Sequence, residues 1–169
     1  MTDVTHDLSN DVLERLVTRT ACEDLLKHYQ RLVDAKDVDG LGGIIVDDIE
    51  LDRRQGPRHG REEFLDLYRA FAASDVEVAQ HMTSNIQVSP LPDGRQRVDS
   101  CFFVITTHEA GGARMVWGRY SDDMVRVGDE WRFCAKRIDV VRTALIPEES
   151  LVSGDVPSFG PMATARTGE

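Results

Sequence analysis

Several things are scarce in this chain, and each scarcity excludes something. Basic charge is in the minority, with 20 Lys and Arg against 30 Asp and Glu, a net charge of −10 and a pI of about 4.9. A nucleic acid or an anionic membrane surface is recognised by a basic footprint, which this balance does not supply. No apolar run approaches the roughly 20 residues that a membrane span needs. There are three cysteines, Cys22, Cys101 and Cys134, and none forms a CxxC pair. An odd count without ligand spacing points to buried free thiols rather than disulfides or a zinc site. No GxGxxG, P-loop, GxSxG or HExxH motif is present, and His28 and His59 lack partners at ligand spacing. Neither a metal nor a nicotinamide or phosphate cofactor is therefore expected. The opening MTDVTHDLSND lacks the charged-then-apolar pattern of a signal peptide, so the expected compartment is cytoplasmic.

What is present is a long run of strand signals. Gln80–Ser89, Gln96–His108, Ala113–Val127 and Glu130–Arg142 are rich in Val, Ile, Phe, Thr and Trp. Such residues fit a pleated, half-buried surface. Pro92-Asp93-Gly94, Gly111-Gly112 and Gly128-Asp129 separate them, and these supply the turn conformations that hairpins require. Neighbouring strands of this kind pair as an antiparallel meander.

Helical signals come before the strands. Ser9 and Asn10 are good N-caps. From Val12 to Val33 an apolar stripe recurs at helical spacing, with a possible break near Thr18 to Thr20. Val38–Val46 reads as a short helix weakened by Gly40, Gly42 and Gly43. Ile49–Asp52 alternates like a short strand, and a loop runs from Arg53 to Gly60. Glu62–Ala73 is a second long helix with Phe64, Leu65, Tyr68 and Phe71 on one face. Helices first and strands last is the α+β pattern. The expected fold is a cone-shaped, curved antiparallel sheet, an α+β barrel, wrapped around the N-terminal helices. Its concavity would make a small-molecule pocket. Residues 1–8 are expected to be disordered, 9–146 to form one domain, and 147–169, rich in Pro, Gly, Ser and Thr, to form a flexible tail.

From Glu14 to Arg142 the chain resembles the nuclear transport factor 2-like superfamily, in its SnoaL-like branch. The resemblance rests on LVDAKDVDGLGGIIVDDIELD, HGREEFLDLYRAF, QHMTSNIQV and WGRYSDDMVRVGDEWRFCAKRIDVV, in that order and spacing. Within the branch the chain is similar to scytalone dehydratase-type lyases and to the β-subunits of aromatic-ring-hydroxylating dioxygenases. The lyase resemblance implies that Asp34, at the end of the first helix, holds His81 on the first long strand, and that His81 removes a proton from the substrate. A carboxylate on one imidazole nitrogen fixes the tautomer and strengthens the other nitrogen as a base. The resemblance also places His108 at a second active-site histidine and Tyr120 at a substrate-orienting position.

Each residue has a plainer reading as well. Asp34 would then be a helix-terminal surface charge, His81 a satisfied strand residue, and His108 a solvated residue beside a turn. Tyr120 and Tyr29 would be core tyrosines rather than pocket hydroxyls. Arg119 and Arg137 are either anchors for an anionic substrate group or members of structural ion pairs. The chain departs from the dehydratase pattern at Val33 and Arg53, where those enzymes have tyrosines, which argues for a different substrate.

Three function classes follow. The first is a cofactor-independent lyase or isomerase acting on a small hydrophobic, polyketide-like or aromatic metabolite. The second is a structural β-subunit paired with the α-subunit of an oxygenase. The third is a non-catalytic ligand-binding module. A homodimer or homotrimer is expected because both faces of Cys101–Ile105 are apolar, with Phe103, Ile105, Trp117, Phe133 and Ala135 as candidates for the exposed sheet face.

Overall fold

In the computed structural model, which describes residues 4–54 and 56–152, three helices precede a single curved sheet. Helix α1 spans Val4–Asp34, α2 Val38–Gly43 and α3 Gly60–Ala72. The strands are β1 Ile45–Arg53, β2 Arg58–His59, β3 Val76–Pro90, β4 Gln96–His108, β5 Ala113–Val127 and β6 Glu130–Ile146. They lie in the order β2-β1-β6-β5-β4-β3 and leave the sheet unclosed. The architecture is the expected α+β cone, with two corrections. The barrel does not close, and the sheet is mixed, because β1 runs parallel to β6. The meander β3–β6 returns the chain to the edge where β1 already lies, and β6 arrives there in the same direction.

Helix α1 begins at Val4 rather than at the Ser9/Asn10 cap signal, and it is unbroken. No Gly or Pro occurs between Val4 and Asp34. Once nucleated, a helix gains a hydrogen bond with each added residue, which outweighs a local cap preference. The apolar stripe is buried only along its second half, from Cys22 to Val33; Val12, Leu13, Leu16 and Val17 remain exposed. The expected tail at 147–169 begins with a 3₁₀ turn, Glu148–Ser150, and beyond Val152 it lies outside the described residues.

The end of α1 sets the site. Lys36 takes a left-handed φ of 56°, while the amides of Lys36 and Asp37 donate to the carbonyls of Val33 and Leu32. This is the geometry of a Schellman stop. Asp37 then caps α2 by accepting from the Gly40 amide. The Lys36 ammonium reaches the Val76 carbonyl at 2.5 Å and ties the helix end to the start of β3.

The core fills the space between α1, α3 and the inner face of the sheet. Val98, Phe102 and Val104 contribute from β4, Tyr120 and Met124 from β5, and Phe133 from β6. Phe133 and Ala135, expected on an outer face, are buried instead at 0% and 3% exposure. A register shift between Asp123 and Met124 lets both Phe133 and Lys136 end up buried. Gly118 faces inward at a close approach: a Cβ there would meet the Asp139 carbonyl oxygen and come within 2.8 Å of the Phe102 ring. Its absence lets Phe102 stack on Tyr120 with ring centroids 4.3 Å apart.

Candidate active site

The open end of the cone holds a cavity of about 350 Å³ between α1, α3 and the inner sheet. Its walls are largely apolar, from Val33, Leu67, Phe71, Phe102, Val104 and Val116. Polar side chains from different elements interrupt these walls, among them Tyr29, Tyr68, His81, His108 and Tyr120.

Asp34 and His81 are 47 positions apart in the chain and meet here. The Asp34 Oδ1 lies 2.5 Å from His81 Nδ1, and Oδ2 accepts the His81 backbone amide at 2.9 Å. A carboxylate in the last turn of a helix is disfavoured by the helix dipole. Two donors from one residue offset that cost and hold the imidazole at fixed rotation. With Nδ1–H given to the carboxylate, Nε2 keeps its lone pair. The His81 side chain is only 10% exposed, and it lines the cavity.

A second histidine stands near the mouth. His108 Nδ1 lies 3.1 Å from Asp75 Oδ1, and its Nε2 lies 3.0 Å from the Thr106 hydroxyl. Asp75 follows α3 and carries no motif, so nothing in the sequence pairs it with a residue 33 positions away.

Tyr29, Tyr68 and Tyr120 also line the cavity, all of them buried. The Tyr29 and Tyr68 hydroxyls are 2.9 Å apart, and the Tyr29 ring meets both Tyr68 and Tyr120 edge-on. Burial pushes all three phenols above their ordinary value, so they act as hydroxyl donors and acceptors rather than phenolates. Tyr68 was legible only as part of the apolar face of α3, where an aromatic at helical spacing reads as core.

Beneath the tyrosines lies a fully buried ion pair. The Lys136 ammonium sits 2.7 Å from Asp122 Oδ2 and about 4 Å above the rings of Tyr29 and Tyr120. Burial pushes the lysine down and the aspartic acid up, and their mutual attraction opposes both shifts. On the outer face, Asp123 pairs with Arg97 and Arg137. The adjacent aspartates thus point to opposite faces, and Arg137 is a structural partner. Arg119 also departs from its expected place. It is exposed, opposite in parity to Tyr120, and does not line the cavity. Strand alternation decides this: if Tyr120 faces in, its neighbour faces out.

Burial pushes the Cys22 thiol up to about 12, which leaves it unreactive as a nucleophile. Among the described residues, no three His, Cys, Asp or Glu side chains are grouped to share a metal ion, and no helix is long and apolar enough to cross a membrane.

Residues 14–137 match the SnoaL-like domain. The chain belongs to this family, within the nuclear transport factor 2-like superfamily. Solved structures carry the same fold at low identity. A scytalone dehydratase-like protein from Novosphingobium aromaticivorans superposes with a TM-score of 0.72 at 20% identity, covering 77% of this chain and 88% of its own. The hexachlorocyclohexane dehydrochlorinase LinA-type3 from Novosphingobium barchaimii gives 0.72 at 20%, covering 83% and 98%. An aromatic ring hydroxylase-like protein from Novosphingobium aromaticivorans gives 0.68 at 20%, covering 76% and 92%. No curated protein sequence matches the chain significantly. At these identities the SnoaL-like chain shares a fold with its neighbours, and its chemistry has to be argued from its own side chains.

Proposed function

We propose that this SnoaL-like protein is a cofactor-independent lyase or isomerase that abstracts a proton from a small, largely apolar substrate. The observation that carries the reading is the Asp34–His81 contact at 2.5 Å, on a histidine that lines an apolar cavity of about 350 Å³. His81 Nε2 takes the proton from an acidic C–H. Asp34 holds the tautomer and stabilises the imidazolium that forms. The buried tyrosine hydroxyls donate to the oxygen on which negative charge develops. The His81 imidazolium then gives that proton back, to the leaving group or to the rearranged carbon, while His108, held by Asp75 and Thr106, lines the cavity as a substrate contact. The dehydratase and dehydrochlorinase among the structural neighbours perform eliminations by name, which supports the same reaction class.

The test is proton exchange. Aromatic and polyketide-like ketones with an acidic C–H are incubated with the protein in deuterated water and followed by NMR. Enzyme-dependent deuterium incorporation, absent in His81→Ala, is expected. Exchange that persists in His81→Ala sinks the assignment of the base.

The similarity to an aromatic ring hydroxylase-like protein keeps one second reading in play, a β-subunit supporting an oxygenase α-subunit. That reading gives the dyad no task. It predicts copurification with a larger iron–sulfur protein and indifference to Asp34→Asn.

A further inference from the structure

Among the described residues, two cations at the cavity are left without a side-chain partner, Arg53 and Arg114. His81 is paired with Asp34, His108 with Asp75, and the underlying Lys136 with Asp122. Arg53, the last residue of β1, lines the same cavity, and its guanidinium makes no hydrogen bond or ion pair to any described residue. It continues the inward row Ile49, Leu51, Arg53, and it stands beside Ile138 of β6, another wall of the cavity. Arg53 is half-buried, whereas Arg114, also unpaired at the cavity, is exposed and solvated. Its charge is felt by the Tyr68 and Tyr120 hydroxyls, which burial otherwise drives up. None of its five N–H donors is given to a described residue, so all of them remain available to a ligand.

We propose that Arg53 is the specificity residue of the pocket and receives a carboxylate on an otherwise apolar, ring-bearing ligand. The planar fork matches two carboxylate oxygens at once, while the aromatic and aliphatic walls take the ring. The inference deepens the proposed function by naming a substrate class for the same cavity. The carboxylate anchors the ligand at the β1 rim and turns its ring toward His81.

The test needs no turnover. Naphthoate and naphthamide have nearly the same shape and differ in charge, and each is titrated calorimetrically at about pH 8, where ordinary imidazoles are neutral. Naphthoate should bind tighter by roughly ten-fold or more, the worth of a charge-assisted contact. Arg53→Met should erase the preference, Arg53→Lys should keep only part of it, and Arg114→Met should keep it all. If Arg53→Met fails to fold, Arg53→Lys decides, because it retains the charge and loses the fork. Equal binding of the two probes, no binding of either at millimolar concentration, or a preference that survives Arg53→Met or Arg53→Lys in full would overturn the proposal. So would a preference that disappears in Arg114→Met. Absence of a preference leaves the His81 reading standing. Conversely, proton exchange that persists in His81→Ala leaves the carboxylate preference measurable.

Discussion

Asp34 accepts both available donors of His81, the backbone amide at 2.9 Å and the ring Nδ1 at 2.5 Å. The carboxylate therefore fixes the strand position and the ring orientation together. It does so from the C-terminal turn of a helix, where the dipole makes a negative charge unwelcome. Local features that cost stability and are compensated by a single partner are characteristic of functional positions.

For any substrate identified by proton exchange, His81→Ala should lower kcat by about 10²–10⁴-fold, the usual contribution of positioned proton transfer. Asp34→Asn should also reduce kcat strongly, with KM little changed, because it disturbs the base rather than the binding walls. Steady-state kinetics on the two variants, with circular dichroism as a folding control, checks this. Wild-type kcat in both variants would remove the dyad from the mechanism.

The ion pair under the tyrosines should be costly to break and cheap to replace. Lys136→Met leaves the Asp122 carboxylate buried without its counter-charge and should destabilise by about 3–5 kcal/mol. Lys136→Met combined with Asp122→Leu should recover much of that loss. Urea unfolding of the single and double variants measures the difference. A double variant as unstable as the single one would show that the pair itself supplies net stability.

Asp123 makes stability depend on acid. Burial alone would raise its carboxyl, but the Arg97 hydrogen bond and the nearby Arg137 and Arg97 charges bring it below the usual range. A lowered folded-state value contributes stability that is present above the unfolded pKa of about 3.9 and lost as pH falls through the folded value. Asp123→Asn should therefore destabilise the protein at neutral pH and have a much smaller effect once the wild-type carboxyl is protonated. Thermal melts of both proteins from neutral to strongly acidic pH would show curves that converge on the acid side. Parallel curves would rule out Asp123 as a source of the acid sensitivity.

The outer sheet face carries an exposed apolar row. Met82, Phe103 and Trp117 lie side by side across β3, β4 and β5, with Met82 49% and Trp117 37% exposed. An exposed apolar row of this kind is the basis for expecting self-association. The protein is expected to be a dimer or trimer at micromolar concentration, and Trp117→Glu should shift it toward the monomer. Multi-angle light scattering reads both, and a wild-type monomer would refute the expectation.

Local pattern was enough for most of the fold. The bounds of β4 and β5 coincide with what alternation and turn residues imply, because side-chain period and Gly-containing turns are properties of short segments. Asp34 and His81 were nameable through the family pattern, and Tyr29 and Tyr120 as candidates with a core reading beside them. Tertiary structure decided the rest. Arg119 lost its place because strand parity assigns it to the outer face, while Lys136 gained one because a register shift brings it among the buried residues. The Asp75–His108 contact, the Tyr29–Tyr68 hydroxyl pair and the unpaired Arg53 depend on elements far apart in the chain. Sequence by itself determined most of the helices and strands, since periodicity is a local quantity, but not the buried face of β6, where a register shift puts Phe133 and Ala135 inside. Which polar side chains converge in the cavity, and which of them remain without a partner, was settled only when the meander curled over α1 and set β6 beside β1, because those distances depend on packing between elements rather than on any one of them.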